Sequence, residues 1–330
     1  MKAVQALRMR PSTGLAARVV AAASLAAAAA LALLVGCSTA PKATAAVSTE
    51  RNRATGLAKQ GDSRFRSGNY ADALSFYRQA LEINIAIDDD AGVVMSRNAI
   101  GKTYATSGQT EDARGQYAEA FELAERLAHP DLTAQCLFHQ AELDIDSGDA
   151  ASARAKLERA AALAPAGSAT AALVLHARAR AHRLAGELEA AETALIQAAS
   201  INKKLMLMGE YASNMYLLSS VRSRMGDQDK ALEYALAALA ADKEIENSLG
   251  ITSDYYALGR IALARGRDED AYFYLRKSLN VALVKDMAGE ALRALKDLIP
   301  LAVKLGYQDK AKDYAAMEER IRSLGEASGK

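Results

Sequence analysis

The chain has no tryptophan, and its other aromatics are sparse: 5 phenylalanines and 13 tyrosines in 330 residues. Cysteine is scarcer still, with Cys37 and Cys136 alone. Two cysteines exclude a disulfide framework and leave no cysteine pair at zinc spacing. Cys136 lies in the apolar run Ala134–Phe138 and is expected to be a buried, inert thiol. The histidines are His129, His139, His176 and His182, with no His-Glu-x-x-His run among them. His139 and Glu142 fall one helical turn apart but lack a third ligand nearby in sequence, so no metal is implied. Gly101-Lys102-Thr103 has the ending of a phosphate loop, but Ser96 stands where the earlier glycine is required. Asp88-Asp89-Asp90 reads as an exposed acidic connection. With no nucleophile elbow and no dinucleotide fingerprint either, the sequence implies no cofactor and no enzyme.

A basic excess is missing as well. Lys and Arg number 41 against 40 acidic residues. Four of the basic residues (Lys2, Arg8, Arg10 and Arg18) fall in the first 18 positions, which hold no acidic residue. The remainder is therefore slightly acidic, which excludes the electrostatic footprint of a nucleic-acid binder. After that basic start, residues 19–35 are apolar and uncharged, and Leu34-Val35-Gly36-Cys37 follows. A basic stretch, an apolar stretch and small residues before a cut site make an export signal. Taken alone, the run also fits a short transmembrane anchor, or an ordinary signal that happens to precede a cysteine.

The four residues ending at Cys37 resemble the lipobox of bacterial lipoproteins. That resemblance implies a signal peptide over residues 1–36 and a lipid on Cys37. Ser38, rather than Asp, follows the cysteine; in a Gram-negative source that implies the outer membrane, facing the periplasm. Residues 38–50 are mostly Ser, Thr and Ala, with little to bury. Together with Cys37 they read as a lipidated, flexible tether with a reach of roughly 20 Å.

From about Arg51 apolar residues recur at helical spacing. Seven glycines mark a repeat: Gly68, Gly108, Gly148, Gly186, Gly226, Gly266 and Gly306, spaced 40, 40, 38, 40, 40 and 40 residues apart. An alanine stands five residues after each, and a small residue stands seven before six of them, from Gly61 and Gly101 to Gly259. Larger side chains such as Leu57, Tyr77, Tyr104, Tyr117, Leu157 and Leu195 are expected to fill the space between successive units.

This pattern resembles the tetratricopeptide repeat, a helix–turn–helix unit. The resemblance implies an all-α, right-handed α-solenoid of seven such repeats, with a period near 40 residues, over residues 51–325; residues 326–330 form a tail. The last repeat departs from the pattern. Ile299 and Glu318 replace small residues, and Pro300 sits within its first helix, so it is expected to be a cap bent at the proline. In the family, first-helix positions ten, six and three residues before the turn line a concave groove. Carried over, they include Asn98, Lys102, Phe138, Glu142, His176, Arg180, Arg183, Tyr216, Tyr256 and Arg260. Arginine and tyrosine are enriched where partners bind. The resemblance thus implies a membrane-anchored scaffold for protein partners in envelope complex assembly, its groove taking a peptide with acidic or carboxyl-terminal groups. The alternative is capture of peptidoglycan or glycan fragments, with Tyr211, Tyr216, Tyr255 and Tyr256 as stacking surfaces.

Overall fold

The computed structural model describes residues 45–328. Cys37, the signal segment and most of the tether lie outside the described residues.

The described chain is helical throughout, and its helices pair into units. The first pairs are α1 (Ala45–Arg66) with α2 (Tyr70–Ala86), α3 (Asp90–Thr106) with α4 (Thr110–Arg126), and α5 (Pro130–Asp146) with α6 (Ala150–Leu163). Then come α7 (Ala169–Leu184) with α8 (Leu188–Lys204), α9 (Met208–Arg224) with α10 (Gln228–Glu244), and α11 (Ser248–Ala264) with α12 (Asp268–Val284). The last pair is α13 (Ala288–Lys304) with α14 (Gln308–Ser328). Seven units result, as the glycine spacing predicts. Both ends are more helical than expected: α1 begins inside the segment read as a tether, and α14 runs into the segment read as a tail.

The turns explain the regularity. Each marked glycine takes a left-handed conformation, from φ +70° at Gly266 to φ +87° at Gly226. The amide of Gly68 donates to the carbonyl of Phe65, and that of Asn69 to the carbonyl of Arg64, both at 3.0 Å. This paired closure of a helix end is the Schellman arrangement. Asn69 then serves a second purpose: its side chain accepts from the amide of Asp72 and caps α2. One three-residue linker therefore ends one helix and starts the next.

The same linker also joins one unit to the next, a feature the glycine spacing conceals. Asp88, Ala128, Met206, Glu246 and Asp286 hold left-handed φ values between +48° and +58°. Each stands twenty residues after a marked glycine, so the 40-residue period is two near-identical halves. The exception follows α6, a helix of 14 residues where most have 17. There a loop containing Pro165 and Gly167 replaces the linker; the shorter α6 and the 16-residue α7 outweigh its extra length, which gives the single 38-residue spacing.

Packing within a unit follows from side-chain size. A Cβ placed on Gly61 would lie 2.5 Å from Tyr77, one on Gly101 2.5 Å from Tyr117, and one on Gly259 2.7 Å from Leu275. Tyr77 and Tyr117 therefore press against small residues of their own unit's first helix and also reach the next unit, Tyr77 at Ile100 and Tyr117 at Leu143 and His139, as expected from sequence. Successive units share apolar clusters elsewhere too, such as Leu218 and Val221 with Leu195 and Ala238. In the last unit Ile299 takes the small-residue position, and the residue at the Tyr77 position is Ala315. α13 is assigned as continuous helix through Pro300, which sits on its exposed side.

Next-nearest contacts define the inner face. First helices touch across the stack: α3 with α5, α5 with α7, α9 with α11 and α11 with α13. The first helices form the closely spaced, concave layer, and the second helices back them.

Candidate functional site

The concave layer holds a cavity of about 520 Å³. Four successive first helices build it. Lys102 and Ala105 come from α3, and Phe138, His139, Glu142 and Asp146 from α5. Leu173 and His176 come from α7, and Glu210 and Ser213 from α9. Tyr117 of α4 and Asn202 of α8 complete the lining from the second layer.

The floor is aromatic. The rings of Tyr117 and His139 stack with centroids 5.1 Å apart, and Phe138 meets His139 at 4.9 Å. Burial, reinforced by the charge of Lys102, lowers the His139 pKa to about 3, so its imidazole is neutral. His176 is half-buried; desolvation lowers its pKa against the bond from its Nδ1 to Asn214 Oδ1 at 2.7 Å. Burial, followed by the negative charge of Glu142 and Asp146, pushes the Tyr117 hydroxyl pKa up. Lys102 holds its ammonium 4.9 Å from the ring centre of Phe65.

Glu142 is the pivot of the site. One carboxylate oxygen pairs with Arg180, which also reaches Asp146 at 2.7 Å. The other, Oε1, is buried and takes no hydrogen bond among the described residues. Burial raises the Glu142 pKa, and Arg180 opposes that shift. Asn202 is 3% exposed, and its Oδ1 likewise takes no hydrogen bond among the described residues.

A second cavity of about 340 Å³ adjoins, lined by Ile145, Asp146, Arg180, Arg183, Leu184 and Arg224. Burial, then the charges of Arg224 and Arg180, lower the Arg183 pKa.

The expected groove residues divide accordingly. Lys102 and His176 line the larger cavity; Arg180 and Arg183 line the smaller. Asn98 does not face the groove: it is buried, with Nδ2 3.5 Å from the Cys136 sulfur. Burial pushes the Cys136 thiol up to about 11, which leaves it inert. Tyr216, Tyr256 and Arg260 line neither cavity. The Tyr256 hydroxyl donates to Asp297 at 2.9 Å, and Arg293 covers its ring at 4.4 Å. Arg260 pairs with the same Asp297 at 3.2 Å.

These pairings revise the expected chemistry. Arg180 and Arg260, read as receptors for an acidic partner, are already paired with carboxylates of the chain itself. The tyrosines read as sugar platforms are occupied too: Tyr211 packs into a core cluster beneath Lys203, and Tyr255 beneath Lys243. Most lining residues lie outside the carried-over positions, among them Tyr117, His139, Asp146, Asn202 and Glu210. Asn202 had a signal in the sequence: like Asn84 and Asp242, it stands sixteen residues after a turn glycine, where Ala124, Ala164 and Ala282 stand in three other units. Among the described residues, no group of three or more His, Cys, Asp or Glu side chains is placed to hold a metal.

Comparison with known proteins agrees with this architecture. Residues 52–126 and 212–245 each match the tetratricopeptide repeat family. No curated protein matches the chain. Among solved structures, a Rap protein complexed with competence and sporulation factor is similar at a TM-score of 0.60 and 17% identity, over 81% of this chain and 74% of that one. A signal transduction ATPase with numerous domains, carrying a tetratricopeptide repeat sensor, from Pyrococcus horikoshii is similar at 0.64 and 15%. That likeness covers 82% of this chain and 41% of the other, so the chain spans under half of that protein. Aspartyl phosphate phosphatase F from Bacillus subtilis is similar at 0.58 and 17%, over 84% of this chain and 72% of that one. At such identities the likeness carries the fold: an all-helical solenoid of tetratricopeptide-type repeats.

Proposed function

We propose that this chain is a lipid-anchored interaction module of a bacterial envelope, tethered through Cys37 to the outer membrane on its periplasmic side. It acts by holding a protein or peptide partner on its concave face, and it performs no catalysis of its own. The observation that carries the reading is the cavity shared by four successive first helices, α3, α5, α7 and α9. Stacked repeats form extended concave surfaces that such folds use to bind partners. One structurally similar protein was solved with a bound factor, and the repeat family is a protein-interaction fold. The anchor rests on the lipobox-like residues Leu34 to Cys37.

Two experiments test the two halves. A photo-crosslinking residue replacing Ser213, on the cavity wall, should capture a discrete partner in intact cells. The same residue replacing Glu233, exposed on α10, should not. Equal capture from both faces, or none from either, overturns the concave-face reading. Separately, Cys37→Ala should release a folded, soluble chain from the membrane fraction. A variant that stays firmly membrane-bound shows an uncleaved anchor instead of a lipid.

A further inference from the structure

The larger cavity has acceptors to spare and few free donors. Three carboxylates line it, from Glu142, Asp146 and Glu210, against the single ammonium of Lys102. Arg180 offsets part of that charge through Glu142 and Asp146, but it sits in the neighbouring cavity. Lys102 is engaged over Phe65, His139 is neutral, and desolvation disfavours the charged form of His176. Two buried acceptors, Glu142 Oε1 and Asn202 Oδ1, take no hydrogen bond among the described residues. Buried acceptors favour a ligand that brings N–H groups, because an unmet polar atom is costly away from water. Aromatic lining from Tyr117 and Phe138 adds a surface for an aliphatic stem and a positively charged head.

We propose that this cavity receives a basic side chain, lysine or arginine, presented by the partner peptide. The proposal deepens the binding reading above and rests on it. The ammonium or guanidinium donates to Glu142 Oε1 and Asn202 Oδ1, and Glu210 at the exposed rim attracts it. The charge preference is the reverse of the one expected from the groove arginines. Arg180 and Arg260 act within the chain, and the carboxylates that line the larger cavity face the partner.

The test uses the full chain, immobilised, and a random nine-residue peptide library, with bound peptides read by mass spectrometry. Retained peptides should be enriched in lysine or arginine by about tenfold, the scale of one charge-assisted hydrogen bond. Glu210→Gln and Glu142→Gln should each reduce that enrichment. Glu210 is exposed, so its variant tests charge without disturbing the core. Arg180 keeps Asp146 as a partner in Glu142→Gln, and thermal melting confirms that this variant folds. Peptides enriched in acidic or purely apolar residues overturn the basic-side-chain assignment and leave peptide binding standing. Basic enrichment that persists in both variants also overturns it. Retention of no peptide at all overturns this proposal together with the peptide-binding reading beneath it.

Discussion

Ala128 adopts φ +48° with an ordinary side chain, at a turn whose counterparts within each unit are glycine. A left-handed alanine is strained by roughly 1–2 kcal/mol, and Ala128→Gly removes that strain. Its gain in unfolded-state freedom takes back part of the benefit. A net stabilisation of about 1 kcal/mol is expected, read as a higher urea midpoint; a lower midpoint would show that Ala128 is not strained. A second residue-scale feature is the buried pair Asp242 and Asp254, at 4% and 1% exposure. Burial, then the Asp242 charge and a hydrogen bond to it, raise the Asp254 pKa from 3.8 to about 8. Asn247 Nδ2 donates to Asp242 at 2.8 Å, which marks Asp242 as the carboxylate of the pair. The folded state then binds more protons than the unfolded chain between these two pKa values. Stability from this pair is greatest below the lower value, falls as pH rises, and is lost above the higher. Asp254→Asn keeps a donor to Asp242 but cannot titrate. The pH dependence of its urea midpoint between pH 5 and 8 should lack the fall contributed by Asp254, and identical profiles for variant and parent would refute the assignment.

At the scale of the helix pair, two glycines of one unit, Gly101 on α3 and Gly115 on α4, give opposite expectations. Gly101 lies under Tyr117, and a Cβ there would stand 2.5 Å from the ring. Overpacking costs about 1–3 kcal/mol, while alanine in a helix gains about 1 kcal/mol over glycine. Gly101→Ala should therefore destabilise on balance and, by shifting Tyr117, weaken ligand binding in the cavity. Gly115 sits exposed on α4 with nothing within 4 Å of an added Cβ. Gly115→Ala should stabilise by about 1 kcal/mol. Chemical denaturation of both variants checks the contrast; the same sign for both would show that helix propensity, not the ring contact, governs these positions. This pairing also marks how far the sequence is readable. The turn glycines are conspicuous because left-handed backbone selects glycine within each unit. The turns between units were hidden because Asp88, Ala128, Met206, Glu246 and Asp286 share a conformation and no side-chain chemistry. Lys102, Phe138, Glu142 and His176 line the larger cavity, since register in a repeat fixes which face a residue occupies. Their charge state was not read, although the column six residues before the turn runs Lys102, Glu142, Arg180. Neighbours in one column touch across units, so that alternation of sign was the available clue to the Glu142–Arg180 pair.

Across the whole molecule the apolar interior is divided into separate clusters along the stack. Such a chain is held by local interfaces summed from unit to unit, and an end is stable only if its outer face tolerates water. The last unit meets that need. Leu295, Leu298 and Leu301 of α13 close the cluster that contains Leu275 and Leu279 of α12, while α14 turns Lys310, Lys312, Glu319 and Arg320 outward. Truncation before Ala288 would uncover the α12 side of that cluster without removing any residue of the cavity, which ends at Ser213. The truncated chain is expected to self-associate through the uncovered face, as seen by size-exclusion chromatography with light scattering. Local coupling predicts that it still retains the same peptides as the full chain. A monomeric truncation of unchanged midpoint would remove the capping role from the last unit. Loss of peptide retention in a truncation that still folds would show instead that the stack transmits order over its whole length, and that the site depends on units it never touches.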